Sequence, residues 1–509
     1  MTLEEARNKG EGTRLPGSLL PFLFPFTLCL VPFVLLCTLN SAGYRYGASD
    51  LAFYIPAALE RLDPSLFPRD GALIASQARL TMIDETIAVL SRMTGLGLPP
   101  LFATLYGTTL ALLLAGALLL ARMLYRTEWA ALAFVAALTL RHAIAKSGTN
   151  SLEGYFHPRQ LAFALGVLAV VSLMRQRLLV SAALVITGGL LHPTTALWFS
   201  IWIAVAAAVN DRRWRRPFGA GAVVIAAITA WMLTAGPLAG RLVRMDDAWL
   251  ATLETKDYLF PLEWPLYAWV LNLIYAPAIV YIYRRRSSAG VLVPGERGLV
   301  WGCLALVAVF ALALPFNAAR LAIVIQLQIP RVFWMLDFLA ISYLIWLIAE
   351  DGTSSVRRAR IACVAIALAS ITRSAYIKFV KFPDRPIAEI AVPDNDWGRV
   401  MAWARTSPHD SGWLAHPGHA VQYGTSVRVA GQRDVFVEGI KDAAIGMYER
   451  DVAIRTRDRL EELRDFDSLT PDRARTLGSR YRLDFLVTVQ PLDLPIAYSS
   501  GPLRVYRLR

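Results

Sequence analysis

The chain has 509 residues, 56% of them hydrophobic and 18% charged, with a formal net charge of +13. A soluble protein carries about 25% charged residues. Here the apolar residues come in long runs and the mean hydropathy is +0.44, so the chain reads as an α-helical polytopic membrane protein. Its basic excess lies in short loops between those runs, which points to membrane topology and argues against nucleic acid as a partner.

A span takes about 20 mostly apolar residues. The first apolar run, Leu15 to Leu39, is too long for the core of a signal peptide and reads as an uncleaved span. Ten more candidates follow, at roughly 99–121, 128–142, 160–174, 178–191, 194–209, 218–238, 264–283, 298–315, 321–349 and 358–376. The break Leu191-His192-Pro193 leaves the 178–209 region readable as two short helices or as one kinked element. With a cytoplasmic N-terminus, the inner loops carry Arg122 and Arg126, then Arg175 and Arg177, then Arg212, Arg213, Arg215 and Arg216, then Arg284 to Arg286, then Arg357, Arg358 and Arg360. That is the positive-inside pattern, and about eleven spans then place the C-terminal part outside.

Two regions lie off this framework. A long first outer loop, 41–98, belongs to the transmembrane domain, 1–384. Pro56 suits the first turn of a short helix ending near Leu62, and Leu80, Ile83, Ile87 and Leu90 form one face of an interfacial helix. Beyond residue 384 the apolar runs shorten. Segments 412–416, 434–438, 484–489 and 503–508 read as strands and 451–464 and 470–481 as helices, giving an extracytoplasmic α/β domain over 385–509. The four cysteines, Cys29, Cys37, Cys303 and Cys363, all fall in apolar runs without metal or redox spacing and read as small core residues.

No phosphate-binding, dinucleotide-binding or zinc-protease motif is present. The chemistry therefore rests on polar residues at the outer membrane face. Asp50, just after the first span, suits a general base on an acceptor hydroxyl or a divalent-metal ligand, and equally a helix cap. Asp63, Asp70, Asp84 and Glu85 read as solvated loop residues, with the Asp84-Glu85 pair in reserve as an acid. The second outer loop, Arg141 to Arg159, is dense in polar groups, and Asn150, Glu153, His157 and Arg159 are expected to converge at the outer face. Arg141 and Arg159, at span ends, suit bidentate grip of a lipid phosphate. His192 suits a ligand, a donor to substrate or a satisfied helix-end group. Near the tenth span, Asn317, Arg320, Gln326, Gln328 and Arg331 make a polar approach, Pro330 restarts the helix, and Arg331 and Arg320 join the phosphate candidates. Asp337 falls inside the membrane, where it is expected to neutralise a neighbouring arginine.

The segment Ser49-Asp-Leu-Ala-Phe-Tyr-Ile-Pro-Ala-Ala-Leu59, with the layout of a long first outer loop, about eleven spans and an outer α/β domain, resembles the GT-C superfamily of integral-membrane glycosyltransferases. The resemblance covers the whole chain in layout and about a dozen residues in motif. It implies transfer of a sugar from a polyprenyl-phosphate carrier to a glycan, lipid or protein acceptor outside a membrane, here expected to be a bacterial inner membrane. Asp50 matches the family's catalytic carboxylate, and Tyr54 in the same stretch joins Asn150, Glu153, His157 and His192 as substrate-binding candidates. The family's adjacent acidic pair is absent, because Ser49 and Leu51 flank Asp50. No metal-ligand set is assigned, and a divalent cation at the site stays open. Two other classes fit the same layout, a transporter or flippase for a lipid or glycan precursor and an inactive scaffold of envelope assembly. Transporters often show internal repeats, and none is visible here.

Overall fold

In a bilayer the backbone has no water to bond, so an apolar run satisfies itself as a helix. The computed structural model describes residues 20–236, 239, 242–352 and 356–509. Among these residues seven helical stretches are long and apolar enough to cross a membrane: Leu98–Leu124, Pro193–Asn210, Arg212–Thr234, Leu266–Ser288, Glu296–Ala318, Ala322–Ala349 and Val356–Lys381. Shorter apolar helices occupy Phe26–Asn40, Glu128–Leu138, Pro158–Met174 and Leu178–Leu191. The protein is a helical membrane protein. The start of the first expected span, at Leu15, lies outside the described residues.

Local sequence explains the helix ends. Gly95 closes Ile83–Thr94 in the left-handed region at φ 70°, and Pro99 stands in the first turn of the next helix, Leu98–Leu124. The 178–209 region is two helices, because His192 at φ −153° and ψ 88° leaves helical space before Pro193 restarts the chain. Pro330 lies in a 3₁₀ turn, Ile329–Arg331, that feeds Val332–Ala349.

Packing is uneven. Val332–Ala349 and Pro158–Met174 are buried on nearly all sides, and Phe163 stacks on Trp334 between them at 3.9 Å and 15°. Gly166 lets Phe199 in, since a Cβ there would sit 2.3 Å from that ring. Small residues at such contacts are how membrane helices gain dispersion contacts without a hydrophobic drive between them. By contrast, Arg215–Thr234 has no buried residue.

The first outer loop holds three helices, Leu51–Leu62, Gly71–Ala78 and Ile83–Thr94. The first begins five residues before Pro56 rather than at it, so the proline lies inside the helix. The middle helix has no counterpart in the sequence reading. Ile83 and Ile87 are buried as expected, but the helix starts after Arg79 and Leu80.

The C-terminal segment builds a five-stranded sheet in the order Asp434–Val435, Gly412–Ala415, Phe485–Thr488, Leu503–Arg507, Ile496–Ser500. The first three strands are parallel and the last two antiparallel to their neighbours. Strand alternation feeds two cores. Trp413, Ala415, Val487 and Val505 pack with Trp397 and Met401 of the helix Asp396–Ala404. Leu414, Leu486 and Tyr506 pack with Leu477 of the helix Pro471–Tyr481 on the other face. Residues 388 and 389 belong elsewhere: the strand Ala388–Glu389 pairs in parallel with Tyr44–Arg45. The expected boundary at 385 therefore falls before a strand that is tied to the first outer loop.

A buried charge cluster locks this sheet onto that loop. Arg428 bonds Asp70 at 2.8 Å and Asp442 at 2.5 and 3.0 Å, while Asp434 accepts from the backbone of Arg69 and Asp70. Asp70 is thus no solvated loop residue. Glu438 lies in the cluster with neither carboxylate oxygen hydrogen-bonded and Arg428 at 3.7 Å. Burial pushes its carboxyl up to about 7, against the opposing pull of Arg428. A raised carboxyl favours the folded state most fully below its unfolded value near 4.5, and that contribution is lost as pH rises through 7. The expected result is an unfolding free energy that falls by on the order of 3 kcal/mol between pH 4.5 and 7. Glu438→Gln should flatten that slope in thermal melts of the detergent-solubilised protein.

Candidate functional site

Asp50 takes the N-cap position of Leu51–Leu62, but its side chain makes no cap hydrogen bond. The carboxylate turns the other way. Oδ1 accepts from Lys441 Nζ at 2.7 Å, and Oδ2 meets His157 Nε2 at 3.1 Å. Lys441 comes from the helix Gly439–Gly446 of the C-terminal sheet region, and its Nζ also reaches Ser49 Oγ at 3.3 Å.

The tautomer of His157 follows from its partners. The Arg159 backbone N–H donates to Nδ1 at 3.1 Å, so the neutral ring carries its proton on Nε2 and donates it to Asp50. Burial, then the neighbouring Arg159, push this imidazole down to about 3, so it stays neutral. Burial would raise Asp50, but the Lys441 ammonium, the His157 hydrogen bond and Arg159 outweigh it and hold the carboxyl well below its usual range. Asp50 is a charged group 27% exposed, facing open space.

The loop between Arg141 and Arg159 draws its polar side chains together. Arg159 Nη2 bonds Glu153 at 3.1 Å, Asn150 donates to Glu153 at 3.2 Å, and Arg141 stands 3.8 Å from it. Burial raises the Glu153 carboxyl, and Arg159 and Arg141 oppose that. The loop's turn depends on Gly148, at φ 65°, whose missing side chain leaves room for the Tyr258 ring at 2.9 Å. His192 caps Pro193–Asn210 through Nδ1, which meets Thr195 Oγ1 at 3.0 Å, and it also lines the larger of the site's two cavities. Tyr54 meets His157 edge to face at 5.7 Å.

Two cavities meet here. One, of about 360 Å³, is polar and lined by Asp50, Arg141, Asn150, Glu153, Arg159 and Lys441 among others. The larger, of about 610 Å³, is lined by Tyr54, His157, His192 and many apolar side chains, including Phe53, Leu80, Met232, Ile323 and Leu327. Asp50, Tyr258, Arg331 and Ala444 belong to both walls. Arg331 is 8% exposed, its Nε is buried without a hydrogen-bond partner, and no carboxylate of the described residues pairs with it.

No family model matches the chain. None of the curated proteins compared with it matches either.

Other expected residues lie away from this junction. Arg320 lines neither cavity and bonds Glu263 at 2.5 Å, over the Phe260 ring. Asp84 and Glu85, the reserve acid pair, are tied to Arg61 and line neither cavity. Asp337 pairs with His142 at 2.9 Å and not with an arginine. His142 also faces the Leu140 carbonyl through Nδ1; burial lowers the imidazole, but the Asp337 hydrogen bond and charge outweigh it and raise it from its ordinary value. Among the described residues no cluster of three or more His, Cys, Asp or Glu could hold a metal. Lys441, Lys256, Tyr258 and Tyr448 are site residues that sequence reasoning did not select. Lys256 and Tyr258 were visible only as part of a charged outer loop, and Lys441 carried no local signal.

Proposed function

We propose that this protein is a membrane glycosyltransferase that moves a sugar from a polyprenyl-phosphate donor to an acceptor on the extracytoplasmic face. One observation carries the reading. An ionised carboxylate and an unpaired guanidinium share the wall between a polar and a largely apolar cavity. A lipid-linked sugar has that division of chemistry, with an apolar chain, an anionic phosphate and a polar sugar in sequence.

In this reading the seven long and four shorter apolar helices are eleven crossings, with the N-terminus cytoplasmic, the sheet outside and a bacterial inner membrane around them. The carrier's chain lies in the larger cavity and its phosphate against Arg331, with Arg159 behind it. The acceptor hydroxyl attacks the anomeric carbon, the bond from that carbon to the phosphate oxygen breaks, and the polyprenyl phosphate leaves with the electron pair. Asp50 takes the hydroxyl proton once the acceptor displaces Lys441. Cationic groups fixed in place stabilise the charge that grows on the leaving phosphate.

The test is transfer of a radiolabelled sugar from a panel of polyprenyl-monophosphate donors by the protein in detergent. Transfer by the wild type that is lost in Asp50→Asn supports the reading. No transfer from any donor sinks it and favours the inactive scaffold, which the Lys441 ammonium seated on Asp50 would also suit. Arg331→Gln is expected to raise KM for the lipid donor about tenfold, with a smaller loss in kcat, because it removes one charge-assisted contact to a group present in ground and transition states.

A further inference from the structure

The polar cavity has more positive charge than a carrier phosphate requires. Its wall carries six basic side chains, Arg45, Arg141, Arg159, Lys256, Arg331 and Lys441, against the two carboxylates Asp50 and Glu153. Three of the six are accounted for: Arg159 and Arg141 lie against Glu153, and Lys441 against Asp50. Arg331 is assigned above to the carrier. Arg45 and Lys256 remain, and neither has an ion pair among the described residues.

Both are held in place by backbone. Arg45 sits on the short strand Tyr44–Arg45, whose N–H groups bond Ile387, Gly154 and, one residue on, Glu389. Its strand neighbour Glu389 makes no ion pair with it. Lys256 donates to the Ile440 carbonyl at 3.2 Å from the loop that precedes Tyr258. Burial, then the nearby Lys441, push the Lys256 ammonium down from its ordinary value. Lys256 is therefore held beside a second cation, Lys441, at a cost that an anion would relieve.

We infer that the polar cavity binds an anionic saccharide, whose carboxylate or phosphate is taken by Arg45 and Lys256 while its neutral hydroxyls face Asn150 and Glu153. This rests on the transfer reading for the identity of the ligand as a sugar, but its test does not depend on transfer.

The probes are glucuronate and glucose 6-phosphate, with glucose as the neutral control, titrated calorimetrically into the full-length protein in detergent at fixed ionic strength. At least one anionic sugar should bind ten or more times tighter than glucose. The tighter of the two tells a carboxylate site from a phosphate site. Arg45→Gln and Lys256→Gln should each weaken it at least threefold, and Lys256→Arg should keep it. Arg331→Gln should weaken it less than either. Each variant is compared only where its elution volume and melting midpoint match the wild type. Equal affinity for all three sugars, or no binding of any, overturns the inference. So does loss in Arg331→Gln alone, which would put the anion on the carrier's position. If no lipid donor supports transfer but an anionic sugar binds as described, the transferase reading fails and this site stands.

Discussion

Asp50→Asn is expected to lower the rate of sugar transfer by about 100-fold or more while lowering the melting midpoint by only a few degrees. General-base assistance is worth roughly 10²–10⁴ in rate, and the amide cannot take the acceptor's proton. The stability part follows from the geometry. Asp50 caps nothing, so the start of Leu51–Leu62 does not depend on its charge. Asparagine has one acceptor oxygen where the carboxylate has two, so it accepts from His157 Nε2 or from Lys441 and turns its amide nitrogen toward the other donor, a loss of about 1–3 kcal/mol. Transfer assays under single-turnover conditions with thermal melts on the same preparation check both halves. A variant that melts like the wild type and transfers at a similar rate removes Asp50 from the mechanism.

Arg428→Met is expected to destabilise the outer region by roughly 3–5 kcal/mol, because it strands the buried charges of Asp70 and Asp442. Asp70 retains Arg455 and the Val435 N–H, but Asp442 keeps only the backbone of Glu438. Asp442 lies on the same short helix as Lys441, so loosening it also frees the lysine from Asp50. Thermal melts and limited proteolysis between 385 and 509 read the loss. Replacing Asp70, Arg428 and Asp442 together with Leu, Met and Leu should recover part of it, since the two stranded carboxylates are gone while Arg455 loses its partner Asp70. A single variant as stable as the wild type would show that the cluster contributes nothing to docking.

The parts of the fold that one residue type dictates were legible in the sequence. Apolar runs gave helices within a few residues at 98–124 and 356–376, and alternation gave four of the five strands of the outer sheet. The strand Ile496–Ser500 was missed because Pro495 and the polar run Tyr498 to Ser500 mask its alternation. The helix Gly71–Ala78 was missed for a similar reason, its apolar face being only Leu73 and Ile74.

The site divides the same way. Asn150, Glu153, His157 and Arg159 crowd one short loop, so their convergence could be read from density alone. Arg320 carried the same signal and lies elsewhere, because its side chain has Glu263 within reach. Lys441 had no signal, since nothing within ten residues of it mentions Asp50. Contacts made across hundreds of residues are set by docking of whole elements, and a single sequence does not display them.

The pairing of Asp50 with Lys441 has a consequence for how the protein is made. One partner is synthesised at the start of the chain and the other after all the apolar helices. The two can meet only when every helix between them has been inserted and the late sheet has closed on the early loop. A chain stalled or misthreaded at any crossing holds a bare carboxylate with no ammonium opposite it. The ion pair thus marks completed assembly, and a chain cut before Lys441 would present Asp50 in a different electrostatic state from the finished protein.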